Sequence, residues 1–375
     1  MAFLFPLSSK SPRFEQAPLP QHPCNGGSST FCAGLLFTPR TTLFAPPRLH
    51  SKKPCGRSPP ETVHGSLLPV FLRLFFVWPD SSLWQGLVFC YNNSVMRVLY
   101  VFIDGVGYAP PGETNPVCPE VCPTLCRLMA SAVRLDACLD VPGLPQSATG
   151  QATLYTGVNA SKVMGRHKEG FPGPTIVKLL QEDNIFKVLT RRGMKVCFAD
   201  AYFADAADEL AARRFKSVTT IMSLTEPDTL RFQKDMLAGR AVLHDLTRKA
   251  IVPKGYIGPL ITPEASAEQL LSIAAENDFT LFEYFLTDVA GHSQDYGRAS
   301  EVLRSLDAFL STLMDGLDSD TLFLLTSDHG NIENLGTRGH TFNPVPLITV
   351  GPRAAEVREG AASLMDVMPN LLKVM

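Results

Sequence analysis

Strong charge of either sign is missing from this 375-residue chain: 34 Lys and Arg stand against 36 Asp and Glu, a net charge of -2. The overall balance therefore gives no reason to expect nucleic acid or an acidic membrane surface as a partner. Also missing is a clean run of about 18 apolar residues. The most apolar stretch, Leu67 to Phe89, is interrupted by Arg73, Pro79 and Asp80, so no stable membrane insertion is expected. There is no secretory signal of the charged, apolar, cleavage-site form. With that signal absent, and with an odd set of cysteines beyond residue 95 (Cys118, Cys122, Cys126, Cys138 and Cys197), free thiols in a reducing compartment are expected rather than a disulfide framework. The spacing Cys118-x-x-x-Cys122-x-x-x-Cys126 has no histidine nearby. It reads as one face of a helix starting near Pro123, its thiols acting as small hydrophobes, and not as a zinc or iron-sulfur site.

What is present is unevenly distributed. Residues 1–95 hold 8 Lys and Arg, 3 Asp and Glu, and 13 of the 30 prolines, too many prolines for regular helices or central strands. This segment is read as an unstructured or mis-assigned N-terminal extension. Its Ser and Arg content and few acids make a transit peptide the alternative. A cytoplasmic location is expected, or an organelle if the extension is a genuine transit peptide. Met96-Arg97-Val98-Leu99-Tyr100 opens an α/β domain in the way native amino termini often do, with a Met and then a core strand.

Three apolar runs lead to acids. Val98 to Ile103 ends at Asp104-Gly105, Phe279 to Thr287 ends at Asp288 with His292 four residues on, and Thr321 to Leu325 leads to Asp328-His329. Open α/β sheets bind ligands outside the carboxyl ends of their strands, so three acids at strand ends invite one shared metal centre. Glycines just past Asp104 let the backbone turn sharply there. The turn Pro142 to Gln151 places the Ser147 hydroxyl before a helix, where free N-H groups favour an anion such as a phosphoryl group. By itself that serine also reads as an ordinary helix cap.

Between these runs, Ile176, Leu179, Leu180, Ile185 and Leu189 predict helices, and Lys195 to Ala199 a strand. Residues 205–261, with Arg213, Arg214, Arg231, Arg240 and Arg248 among short apolar segments, lose the strand-helix alternation and read as a cap insertion. The catalytic domain is then 96–204 together with 262–375. Thr262-Pro263-Glu264 opens a helix with cap, proline and early acid, and Val302, Leu303, Leu306, Phe309 and Leu310 predict a further helix from about Arg298 to Met314 that covers the sheet.

Together Phe102-Ile103-Asp104-Gly105, Ser147-x-x-Gly150, Asp288-x-x-Gly291-His292, Ser327-Asp328-His329-Gly330-Asn331-x-Glu333 and His340-Thr341 leading to Asn343-Pro344-Val345-Pro346 resemble the alkaline phosphatase superfamily. Within it they are similar to the branch of cofactor-independent phosphoglycerate mutase and phosphopentomutase. The likeness runs over roughly residues 97 to 352 and implies an αβα sandwich with a mostly parallel sheet and a small inserted cap. It implies that Asp288, His292 and His340 hold one divalent ion, and that Asp104, Asp328, His329 and the Ser147 hydroxyl hold the other. Two such ions about 4 Å apart clamp a transferring phosphoryl group, and the mixed oxygen and imidazole donors suit Mn2+ or Zn2+. Ser147 is the implied nucleophile, carrying a phosphoserine intermediate; Thr149 is the rival hydroxyl, because phosphopentomutases use Thr in this region.

The chain departs from the phosphoglycerate mutase pattern at Gln146 and Gln151, where that family has Asn and His, and it lacks the family's long substrate-domain motifs in 205–261. The modified-residue pattern of sulfatases is absent around Ser147. The expected function is hydrolysis of a small phosphorylated metabolite by a two-metal hydrolase. A phosphomutase (an isomerase of the phosphoglycerate or sugar-phosphate type) is the alternative, and a non-catalytic metal-binding relative is the alternative outside enzymes. Arg213 and Arg214 are the candidate substrate contacts, since guanidinium groups grip phosphate or carboxylate in bidentate fashion.

Overall fold

The computed structural model describes residues 96–375. The readings of residues 1–95 lie outside the described residues. Among those described, no helix is long and apolar enough to cross a membrane.

Strands β1 (Arg97–Ile103), β2 (Val133–Leu135), β3 (Val196–Phe198), β4 (Ala201–Tyr202), β5 (Arg231–Phe232), β6 (Phe279–Tyr284), β7 (Thr321–Thr326) and β8 (Val345–Val350) fall into two sheets. The larger has the order β2-β8-β7-β1-β6-β3, and β4-β5 forms a small parallel ribbon. In the large sheet β7, β1, β6 and β3 run parallel, while β8 and β2 add an antiparallel edge. This is the expected mostly parallel α/β fold. The central strands β1, β6 and β7 are mostly apolar because both sheet faces are covered. Successive β1 side chains point to opposite sides: Val98, Tyr100 and Phe102 enter one core, and Leu99, Val101 and Ile103 the other.

The helices in chain order are α1 (Pro123–Ala130), α2 (Ser147–Thr156), α3 (Ala160–Met164), α4 (Pro174–Glu182), α5 (Ile185–Arg191), α6 (Ala207–Ala212), α7 (Val218–Thr225), α8 (Gln233–Leu237), α9 (Pro263–Ala275), α10 (Leu286–Ser293), α11 (Tyr296–Gly316), α12 (Ala354–Arg358) and α13 (Val367–Val374). One face of the sheet is packed by α2, α4, α5, α7 and α13, and the other by α1, α9 and α11. The capping signals act as read. Pro123 and Pro263 open α1 and α9, and the Thr262 hydroxyl accepts from the Ala265 N-H.

Two expectations change. The run from Phe279 to Asp288 is not one strand, because β6 stops at Tyr284 and Asp288 lies in the first turn of α10. A helix start here sets Asp288 and His292 one turn apart and within reach of each other, whereas an extended chain would hold them about 13 Å apart. Within residues 205–261, α7 contributes Val218, Ile221 and Met222 to the main core, and the Thr219 hydroxyl donates to the buried Glu283 Oε2 at 2.7 Å. The segments on either side of α7 form smaller clusters, one around Ala201, Met236, Leu243 and Tyr256, the other around Ala204, Leu210 and Leu230.

Phe309 of α11 is fully buried, its ring centroid 5.3 Å from that of Phe282. Phe309→Ala should lower unfolding free energy by about 3–5 kcal/mol in urea titration, from lost transfer energy and the cavity left behind.

Candidate metal centre

The predicted ligands converge at the carboxyl edge of the sheet, delivered by four separate segments. Asp104 follows β1, Asp328 and His329 follow β7, Asp288 and His292 sit on α10, and His340 lies in the connection to β8. That connection is tied back by a bridge between Gly330 and Thr341. Asp104, Asp328 and His329 form one group whose ligand atoms lie within 4.8 Å of one another, and Asp288, His329 and His340 form a second. His292 joins the latter, its Nε2 3.3 Å from Asp288 Oδ2 and 3.2 Å from His340 Nε2. His329 thus borders both groups, and its ring stacks on His340 with centroids 3.7 Å apart.

Close approach of these segments depends on glycine. Gly105 has φ +72°, and a Cβ there would lie 2.9 Å from Asp288 Cβ. A Cβ on Gly150 would meet the Asp328 Cβ and carbonyl oxygen at 2.9 Å, so α2 can seat Ser147 against the centre only because position 150 has no side chain. Ser147 is the first residue of α2 with Gln146 as its cap, and its hydroxyl is 2.9 Å from His329 Nε2. The rival Thr149 is turned to its own surroundings, donating to the Gln146 carbonyl and accepting from the Lys168 N-H.

Three imidazoles are oriented by the main chain. The Nδ1 atoms of His292, His329 and His340 face the carbonyls of Arg338, Gly330 and Pro145 at 2.7, 3.4 and 2.8 Å. A carbonyl only accepts, so each Nδ1 carries the proton and each Nε2 turns inward. The Nε2 atoms of His292 and His340 are then opposed lone pairs. Asp104 Oδ1 is buried without a hydrogen-bond partner, although it lies 3.2 Å from His329 Nε2. An orphaned carboxylate oxygen and inward lone pairs are what a divalent cation satisfies, so these residues fit such an ion.

The electrostatics agree. Burial, then the charge of Asp288, raises the Asp104 carboxyl, and burial, then Asp104, pushes Asp328 well above the usual range. Burial also acts to raise Asp288, but the adjoining His292 and the other two imidazoles outweigh it and hold that carboxyl below its usual range. Against its own burial, Asp328 and Asp104 push His329 up to about 10, while burial and the neighbouring His329 hold His340 down to about 3. Without a cation, burial and mutual repulsion work against charge on Asp104 and Asp328, and the same two acids favour the protonated form of His329.

Around the ligands lies a supporting layer. The Gln151 Nε2 donates to Asp104 Oδ2 at 3.2 Å and Asp328 Oδ2 at 3.3 Å. Asn331 donates to Asp288 Oδ1 at 2.6 Å, and Thr287 to the Asp104 carbonyl at 2.6 Å. Glu333 gathers the Gly107 and Asn331 N-H groups, the Thr341 hydroxyl and the Asn343 amide. Gln151 entered the sequence reading only as a departure, and its signal was its place one turn after Ser147. Arg213 and Arg214 are not brought to the ligands by any contact: Arg213 donates to the Phe203 carbonyl, and Arg214 lies over the Phe215 ring.

Two outcomes follow for the folded chain. Asp288→Asn should reduce metal bound by the Asp288, His292, His340 group while the Asp104, Asp328, His329 group keeps partial occupancy, read by metal analysis of the purified protein. A raised histidine stabilises the fold below its ordinary pKa and loses that contribution as pH climbs to the folded value; raised carboxyls act in the same direction. In a chelator the urea midpoint should therefore fall between about pH 6.5 and 10, and saturating Mn2+ or Zn2+ should flatten the fall, since metal binding displaces the proton.

The metalloenzyme superfamily model matches residues 243–375, which include Asp288, His292, Asp328, His329 and His340. A 2,3-bisphosphoglycerate-independent phosphoglycerate mutase from Halobacterium salinarum is 33% identical over 153 residues, covering 36% of this chain and 30% of that protein. One from Pseudomonas fluorescens is 36% identical over 106 residues, covering 26% of this chain and 20% of that protein. The match thus spans less than a third of the length of these relatives. A cold-active alkaline phosphatase from a Shewanella species aligns with a TM-score of 0.46 at 16% identity, over 74% of this chain and 99% of that one. Over residues 243–375 the chain matches the metalloenzyme superfamily model, and over part of its length it is similar to the cofactor-independent phosphoglycerate mutases.

Proposed function

We propose that the chain is a two-metal phosphoryl-transfer enzyme that hydrolyses a small phosphate ester through a phosphorylated Ser147. The observation that carries this reading is the Ser147 hydroxyl, 2.9 Å from His329 at the amino terminus of α2 and beside both ligand groups. Asp288, His292 and His340 would hold one ion, and Asp104, Asp328, His329 and Ser147 the other. Such ions, Mn2+ or Zn2+ by the mixed donor set, supply charge neutralisation for the phosphoryl oxygens and lower the pKa of the serine hydroxyl. Ser147 attacks phosphorus as the substrate oxygen leaves, and the first turn of α2 presents N-H groups to the phosphoryl oxygens. Gln151 steadies Asp104 and Asp328 from the next turn of the same helix. Water then takes the phosphoryl group from Ser147.

The sequence likeness to phosphoglycerate mutases favours one second reading, in which the dephosphorylated intermediate is retained, reoriented and rephosphorylated. That reading requires a cap, and the segments flanking α7 within residues 205–261, which carry Arg213 and Arg214, are the proposed one. The exposed setting of Arg214 makes it free to meet an anionic substrate.

A panel of sugar phosphates and phosphoglycerates, assayed for phosphate release and for isomer formation, tests the proposal. Ser147→Ala should abolish both while leaving most bound metal in place, and a trapped phosphoenzyme should carry phosphate on Ser147. Phosphate on Thr149 would overturn the nucleophile. Replacing Arg213 and Arg214 together by Ala should raise KM or lower kcat/KM without loss of metal. In a mutase the same change should also divert product from isomer to free phosphate. Unchanged kinetics on every active substrate would remove both arginines from the substrate site.

A further inference from the structure

The sulfur cluster in α1 takes no part in the chemistry above. Cys122 is buried, Cys126 is half-buried, and their Sγ atoms are 3.9 Å apart. Cys126 opens onto a cleft of about 240 Å³ lined also by Tyr108, Asn115, Met129 and Arg134, room for several small molecules when a water takes about 30 Å³. One wall of that cleft is Gly107–Ala109, part of the segment that leaves Asp104.

We infer that Cys126 is a modification site: a hydroperoxide entering this cleft oxidises its sulfur, and Cys122 resolves the product to a disulfide across the start of α1. In the first step the Cys126 thiolate attacks one peroxide oxygen and the O–O bond breaks. The sulfur becomes a sulfenic acid, and the departing hydroxide or alkoxide takes a proton. In the second, the Cys122 sulfur gives up its proton and attacks the Cys126 sulfur; the S–O bond breaks, water leaves and the disulfide forms.

The local geometry makes the second step possible. Residues four apart in a regular helix have Cβ atoms about 5–6 Å apart, while a disulfide needs about 3.5–4.5 Å. Cys122 is the cap residue of α1, with φ -139° and ψ 69°, and so is outside the helical cylinder. Its sulfur is 3.9 Å from that of Cys126, and an approach of about 2 Å, by side-chain rotation and movement at the helix end, brings the pair to disulfide bonding distance. The order of attack follows from the surroundings. The hydrogen bond from Cys122 lowers the Cys126 thiol, that same bond and burial raise Cys122, and burial pushes Cys138 and Cys197 up to about 11. The thiolate is the reactive form, so Cys126 is the first to react and Cys122 the resolving partner.

The full-length protein treated with one equivalent of hydrogen peroxide, then alkylated and digested, tests this. The tryptic peptide 98–127 holds Cys118, Cys122 and Cys126; it should lose two hydrogens, with fragmentation leaving Cys118 alone alkylated. Cys122→Ser should stop at a sulfenic acid on Cys126 that dimedone traps, Cys126→Ser should form no crosslink, and Cys118→Ser should behave as the unchanged protein. Should either α1 variant fail to fold, the unchanged protein still decides: Cys126 should react about tenfold or more faster than Cys138. Equal rates, or a crosslink between Cys118 and Cys122, would overturn the assignment.

Discussion

Like charges held close together in a dry place govern this structure. Asp104, Asp288 and Asp328 come from three segments and are all buried, and three imidazoles, the Gln151 and Asn331 amides and the Gly105 N-H stand against them. In water such repulsion is modest, but in the interior it is large. Everything else at the sheet edge follows from bringing these acids together. Glycines at 105 and 150 let the segments touch, Glu333 knots the returning loop, and the histidines face inward. A site that keeps an unpaired Asp104 oxygen and opposed imidazole nitrogens is organised for a cation, at the expense of the metal-free fold.

Much of the fold was legible because a two-sided parallel sheet writes continuous apolar runs, and Val98–Ile103 and Thr321–Leu325 are such runs. The candidate ligands Asp104, Asp328 and His329 stood out because Asp and His placed just after such runs have few other uses there. What escaped depended on contacts distant in sequence. Nothing near Phe285 marks the end of β6, since Phe and Leu suit strand and helix alike; the turn of α10 that follows is what brings Asp288 and His292 within reach of each other. Nor does Thr219 advertise a partner in Glu283, so α7 read as part of an insertion although it packs into the main core. Gln151 looked like a loss against the family pattern, yet an amide can donate to two carboxylates at once.

The metal centre and the thiol pair share one short segment of chain. From Asp104 the backbone runs through Gly107, held by Glu333, to Tyr108, whose hydroxyl donates to the Met129 carbonyl at the far end of α1. The Leu125 N-H of that helix is in turn held by Asp307 of α11 at 2.8 Å. A change in α1 is therefore linked, through these hydrogen bonds and the backbone of residues 104–108, to the loop that carries the candidate ligand Asp104.

The carbonyls of Pro145, Gly330 and Arg338 have a consequence for descent. Ring orientation at the centre is set by main-chain oxygen, which every amino acid possesses, and so it is not erased when side chains at those three positions drift. Lineages can then rewrite the surface around the edge, including the arginine-bearing segments of 205–261, and inherit the same inward-facing imidazoles.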